Sequence, residues 1–152
     1  MFEIREDDLS GEQTQALLAL HLAGMNENSP PGHVFALGLS GLRAPGVKVW
    51  TVWDGASLAG MGALKSLGED AAEIKSMRTH PDHLRRGVAA ALLGHIITHA
   101  RQTGIRRLSL ETGTGPAFDP ALTLYRHRGF SPGPAFGDYA KSDFNQFFHL
   151  AL

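Results

Sequence analysis

The stretch Ala71–Gly104, AAEIKSMRTHPDHLRRGVAAALLGHIITHARQTG, constrains the fold more than any other part of the chain. Ala72–Thr79 has the length of one strand. His80-Pro81-Asp82-His83 reads as a turn, because proline presets φ and an aspartate can bond to the backbone ahead of it. From Arg86 to Gln102, Val88, Leu92, Ile96 and Ala100 recur every four residues, with Ala89, Leu93 and Ile97 broadening the stripe, which predicts a helix with one apolar face. Gly104 stands just past the last turn, where a left-handed helix end favours glycine.

The junction into that helix carries chemistry. Arg85-Arg86-Gly87-Val88-Ala89 opens it with no Ser, Thr, Asp or Asn placed as an N-cap. The first backbone N–H groups of a helix have no partner within it, and the helix dipole adds partial positive charge there. Gly87 lets a ligand approach the main chain, Ala89 and Ala90 keep the approach open, and Arg85 and Arg86 add full charge. This is the composition of a phosphate cradle, although a solvated helix start with two surface arginines fits the same letters. The pattern is neither G-x-x-x-x-G-K-[ST] nor G-x-G-x-x-G, which directs attention away from nucleoside triphosphates and dinucleotides to another phosphorylated cofactor.

Composition narrows the class. At 152 residues the chain is read as one domain, 1–152, with enough length to bury a core. Apolar residues at 43% and charged residues at 19% are globular values. A net charge of −1 argues against a nucleic-acid partner, whose binding domain is usually basic. No apolar run is long enough to span a bilayer, and the first residues do not read as a signal peptide, so no membrane partner and a cytoplasmic location are expected. The chain has no cysteine, which removes disulfides, thiolate metal sites and a cysteine nucleophile.

In chain order, Phe2–Glu6 alternates as a strand, and Ser10-Gly11-Glu12-Gln13 matches a capping box ahead of a helical stripe of Leu17, Leu18, His21, Leu22 and Met25. Pro30-Pro31-Gly32 breaks the chain, and a short apolar segment follows over His33–Leu42. Val47–Trp53 and Leu58–Ser66 read as two strands joined by a hairpin at Asp54-Gly55. After the long helix come a strand at Arg107–Thr112, with Leu108 and Leu110 pointing one way, and a helix from about Pro120 to Arg128. Further strands begin at Phe130 and span Asn145–Leu152. Strands that are first antiparallel and then alternate with helices give a three-layer α/β sandwich around a mixed sheet.

Strand, HPDH turn, LRRGVA and long apolar helix together resemble the acetyl-coenzyme A motif of the GNAT superfamily of N-acetyltransferases, Q/R-x-x-G-x-G/A. Gly87 and Ala89 fit it, whereas Leu84 stands where the family has Gln or Arg. Downstream, Leu122-Thr123-Leu124-Tyr125-Arg126-His127-Arg128-Gly129-Phe130 resembles the family's A-x-x-L-Y-x-x-x-G-F helix and turn. The resemblance covers Val47–Leu152 well and the N-terminal third loosely. It implies an α/β/α fold with a mostly antiparallel central sheet, acetyl-CoA as acyl donor with no metal, and transfer to a primary amine of a small molecule or amino acid. It leaves room for a homodimer.

The resemblance also distributes roles. Main-chain groups of Met77, Arg78 and Thr79 would hold the thioester and pantetheine arm, and Arg85, Arg86, Gly87, Val88, Ala89 and Ala90 the pyrophosphate. Ala72-Glu73-Ile74 matches the position of the catalytic glutamate of histone acetyltransferase-type members, making Glu73 the candidate base. Its bland alternative is a solvent-facing strand residue or a partner for Lys75 or Arg78. Tyr125 matches the tyrosine beside the coenzyme A sulfur and would protonate the leaving thiolate. The region Asn26–Gly46 would cover the acceptor, with His33 in it, and Gly137-Asp138-Tyr139 in the late loop would line the same site, Asp138 facing a cationic substrate. His95 and His99 have the i, i+4 spacing of two zinc ligands, but no His-Glu-x-x-His and no third ligand accompany them, so no metal is expected. Two rivals stay open: a GNAT-like domain that senses acyl-CoA without turnover, and an α/β protein binding a different phosphorylated ligand. Within the enzyme reading, a protein or peptide amine is the alternative acceptor.

Overall fold

The computed structural model describes residues 2–152. The elements run β1 (Glu3–Glu6), α1 (Glu12–Asn28), α2 (Leu39–Leu42), β2 (Val47–Asp54), β3 (Ser57–Ser66), β4 (Ala71–Thr79), α3 (Val88–Gln102), β5 (Arg107–Gly113), α4 (Asp119–His127), β6 (Ser131–Pro132) and β7 (Asn145–Ala151). One seven-stranded sheet has the order β1-β2-β3-β4-β5-β7-β6. Every neighbouring pair is antiparallel except β4 and β5, which run parallel across the α3 crossover.

Alternation along the strands sends apolar side chains to both faces, so both faces must be covered. On one face Leu92, Leu93, Ile96, Ile97 and Ala100 of α3 and Leu122 and Tyr125 of α4 pack on Trp50, Val52, Ala72, Ile74, Leu108, Leu110 and Phe148. On the other, Leu17 and Leu18 of α1 and Leu42 of α2 pack on Val49, Leu58, Met61 and Ala63. Each large side chain fully withdrawn from water contributes roughly 1.5–3 kcal/mol. The three layers expected from the sequence are those observed.

Helix α3 lies unusually close to β3. A Cβ at Gly60 would stand 2.7 Å from Val88 Cγ1, and one at Gly62 would stand 2.5 Å from Met77 Sδ and 2.9 Å from Leu92 Cδ2. The missing side chains let the first turn of α3 seat against the sheet, and this fixes the helix start relative to β4.

Several boundaries differ from the sequence reading. Helix α3 begins at Val88 rather than Arg86, because Gly87, at φ +82°, is left-handed and stands outside it. Ser10 caps nothing: Gly11 is the N-cap, and the Ser10 hydroxyl donates to Asp8 Oδ1 at 2.6 Å within the Asp7–Ser10 turn that leads into α1. Gln13 instead ties α1 to the β2–β3 hairpin, donating to Ala56 O at 2.9 Å and accepting from Leu58 N at 2.9 Å. In the HPDH turn it is the His80 ring, not the aspartate side chain, that accepts from the Asp82 N–H, at 3.1 Å. The strand expected from Phe130 starts at Ser131 and is only two residues long. Phe130 itself is buried against Tyr125.

Candidate active site

Strand β4 carries a bulge that builds the site. Its register against β3 slips between Met61↔Arg78 and Ala63↔Lys75, leaving one residue extra, and Ser76 has φ +57°. An inserted residue reverses the side-chain alternation beyond it. Before the bulge Ala72 and Ile74 enter the α3-side core while Glu73 and Lys75 point to the opposite face. Beyond it Met77 packs on the α3 side and Arg78 on the α1 side, reaching toward Leu20 O at 3.4 Å. A non-glycine residue in the left-handed region costs about 1–2 kcal/mol, and such strain clusters at functional sites.

The helix start fits the phosphate cradle. Gly87 is left-handed, no side chain caps α3, and the first helical bond runs from Ala91 N to Gly87 O at 3.0 Å. The N–H groups of Val88, Ala89 and Ala90 therefore precede the first helical hydrogen bond and are free of helical partners. Space in front of Gly87 is open. Arg85 is exposed and also left-handed, at φ +62°. The Arg86 guanidinium is directed elsewhere: it bonds Asp54 at 3.0 Å and His83 Nδ1 at 2.7 Å and lies over the Phe2 ring.

From this cradle a channel of about 470 Å³ runs between β4 and α4, lined by Leu20, Met77, Arg78, Thr79, Leu84 and Tyr125 among others. Leu84 at 59% and Leu20 at 41% exposure are the large apolar side chains left to solvent among the described residues, and both line it. Exposed apolar surface concentrated in one groove marks a ligand path. Leu84, the departure from the family pattern, thus offers the channel apolar surface in place of a polar side chain.

Strands β4 and β5 pair only at Ala71↔Arg107, Ala72↔Leu108 and Glu73↔Ser109. Beyond Glu73 they part, β4 staying with β3 and β5 with β7. The wedge between them holds a second cavity of about 110 Å³, which shares Met77, Ala121 and Tyr125 with the channel. Tyr125 is 5% exposed and stands where the two spaces meet; burial alone pushes its hydroxyl well above the usual phenol range.

In the wedge Glu73 is buried and paired with Lys75 at 3.2 Å, and the Tyr139 hydroxyl donates to the same carboxylate oxygen. Lys75 also donates to the Tyr139 oxygen at 2.8 Å and to Phe35 O at 3.3 Å. Burial, helped by the Glu73 hydrogen bond, holds the Tyr139 hydroxyl above its ordinary range. Glu111 of β5 lines the same cavity, and burial, opposed by Lys75, raises its carboxyl to about 7. His21 of α1 is held neutral by burial and by Arg78, its ring nitrogen lowered to about 4. His21 Nδ1 and Ser76 Oγ are buried without a hydrogen-bond partner, and both residues face this cavity.

Of the residues expected from sequence, Glu73, Met77 and Tyr125 meet at the wedge, and Met77, Arg78, Thr79 and Ala89 line the channel. His33 and Asp138 line neither cavity: the His33 ring packs on Phe35 and Phe144, and Asp138 is exposed. The neighbouring Tyr139, not Asp138, is what the late loop sends into the site. His95 and His99 pack edge-on against Trp50, and no group of three metal-ligating side chains is present among the described residues. Sequence reasoning passed over Glu111 and His21 as site residues. The signal for Glu111 was its place on the polar face of a strand whose Leu108 and Leu110 point the other way; what was missing was the register that sets that face beside Glu73.

Residues 12–130 match the sequence profile described as the acetyltransferase (GNAT) family. The chain is 46% identical over 152 residues to an uncharacterized N-acetyltransferase, YedL, of Escherichia coli (strain K12), covering all of this chain and 96% of that protein. It is 49% identical over 138 residues to a second uncharacterized N-acetyltransferase, YsnE, of Bacillus subtilis (strain 168), covering 91% of each. Its fold matches the crystal structure of a Bacillus subtilis acetyltransferase in complex with CoA with a TM-score of 0.75 at 18% identity, covering 100% of this chain and 99% of that one. The chain belongs to the GNAT family of N-acetyltransferases.

Proposed function

We propose that this protein transfers the acetyl group of acetyl-CoA directly to a primary amine of a small molecule or amino acid. The observation that carries this reading is the junction of two cavities at Tyr125: one runs to an uncapped helix start suited to a pyrophosphate, the other is lined by carboxylates suited to an ammonium group. The diphosphate would lie on the N–H groups of Val88–Ala90 with Arg85 adding charge, and the pantetheine arm along Met77–Thr79 past Leu20 and Leu84. The acceptor would enter the wedge under Phe35 and Tyr139.

The chemistry balances without a covalent enzyme intermediate. The ammonium gives one proton to a carboxylate of the wedge, Glu73 being the one singled out by the family resemblance. The free amine attacks the thioester carbon, a C–N bond forms and the C–S bond breaks. Tyr125 donates its hydroxyl proton to the departing sulfur and recovers one from the nitrogen through water. Burial keeps the Tyr125 hydroxyl protonated at neutral pH.

The test is an amine-library screen for CoA thiol release. Wild-type protein is expected to turn over at least one amine, and Tyr125→Phe to lower kcat about 100- to 10,000-fold while acetyl-CoA binding is retained. Acetyl-CoA binding with no amine turned over would favour the sensor reading instead.

A further inference from the structure

The wedge between β4 and β5 contains more than the family motifs specify, and its contents point to a substrate class. Glu73 and Lys75 cancel in charge and are fixed to each other, to Tyr139 and to Phe35 O. Among the described residues Glu111 has no such bond: burial, with Lys75 and Glu73 acting through space, accounts for the perturbation of its carboxyl. The cavity therefore presents one carboxyl without a hydrogen-bond partner beside an ion-paired cluster. The remaining walls are mostly apolar, with Met25, Phe35, Ile74, Leu110 and Phe118 around a space of about 110 Å³. The neutral His21 ring and the Ser76 hydroxyl supply unpartnered polar atoms on the side of the bulge.

Building on the acetyl-transfer reading above, we propose that the acceptor is a compact monoamine with an apolar body and no carboxylate, that its ammonium group sits against Glu111, and that Glu111 rather than Glu73 takes its proton. Glu73 is then a positioning residue, holding Lys75 and Tyr139 so that the wedge keeps its shape. Three observations converge on this. An ammonium needs an anionic partner, and Glu73 already has two donors on one oxygen. A free amino acid would bring a third carboxyl group beside Glu111 and Glu73, against like charge in a poorly solvated cleft. The groups facing Glu111 are Lys75 and Glu73 from β4, Tyr139 from the late loop and the neutral His21 from α1, so among the described residues the paired lysine is the one cation that competes for its charge. The proton balance is simple: the ammonium N–H bond breaks, a Glu111 O–H bond forms, and that proton leaves to solvent after product release. A carboxyl that titrates near neutrality is matched to this role.

Matched pairs test it: 2-phenylethylamine against phenylalanine, and isopentylamine against leucine, with thiol release followed from pH 5.5 to 9. At least one amine should exceed its paired amino acid at least tenfold in kcat/KM, with an acid limb near pH 7. Glu111→Gln should lower kcat/KM about a hundredfold and flatten that limb, with Glu111→Asp recovering part of it. Glu73→Gln should raise KM for the amine and keep the limb. The proposal is overturned if the amino acids are equal or better, if no probe reacts although acetyl-CoA binds, or if the limb disappears with Glu73→Gln and survives Glu111→Gln. Failure of acetyl-CoA itself to bind would be read separately, as failure of the acetyl-transfer reading.

Discussion

Glu111 has consequences for stability as well as chemistry. Its carboxyl titrates near 7 in the folded protein and near 4.5 when solvated. Between those values the native state holds a proton that the unfolded state has lost, so stability falls as pH rises through this window and stays lower above it. A fully transmitted shift of this size would be worth roughly 3 kcal/mol, and partial access to solvent cuts it to about 1–2 kcal/mol. Glu111→Gln is therefore expected to stabilise the protein by about 1–2 kcal/mol at pH 8 and to change little at pH 4.5. Denaturant unfolding at the two pH values checks this, and equal effects at both would contradict it. A residue that weakens the fold at neutral pH yet lines the central cleft has the profile of a functional group rather than a structural one.

Among the elements, β4 does the organising, and Lys75 is where two loops are tied to it. Its ammonium bonds Phe35 O in the segment after α1 and the Tyr139 hydroxyl in the loop before β7, along with Glu73. Lys75→Met keeps the stem but releases both loops and leaves Glu73 without its charge partner. Removing one partner of a buried pair typically costs about 3–5 kcal/mol. The variant should lose stability on that scale, raise KM for the amine severalfold and leave acetyl-CoA affinity within about twofold. A variant with normal amine KM would show that the loops are held by other means. The sequence made half of this legible. Apolar spacing located α3, and the hairpin signal at Asp54-Gly55 located β2 and β3, because those patterns are local. The pairing of Glu73 with Lys75 was one of several readings open from sequence, beside a catalytic base, a solvent-facing strand residue and a partner for Arg78. The reach of Tyr139 across 66 residues was not legible, because it depends on how two irregular loops fold over the sheet. Ser10 shows the opposite error: the capping-box letters are present, but the turn before them captures the hydroxyl first.

For the molecule as a whole, the sheet's single parallel pair is the feature that makes a site. Antiparallel pairing through β1–β4 and β5–β7 leaves β4 and β5 joined by only three registered pairs, and the molecule opens where they part. The family motifs in the sequence mark the two walls of that opening: the β4–α3 junction and the α4 helix. The wedge between them is written only in the register. No helix of the described residues is long and apolar enough to cross a membrane. All the chemistry above depends on acetyl-CoA lying on the uncapped start of α3, so the most direct test is a calorimetric titration of the protein with acetyl-CoA, with ATP and NAD as controls and Gly87→Glu as the variant. Gly87 is left-handed and faces open space, so a glutamate there adds backbone strain and places negative charge where the diphosphate should lie. The account predicts micromolar binding of acetyl-CoA, at least tenfold weaker in the variant and absent for ATP and NAD. Equal binding by the variant, or no binding of acetyl-CoA by the wild type, would contradict it.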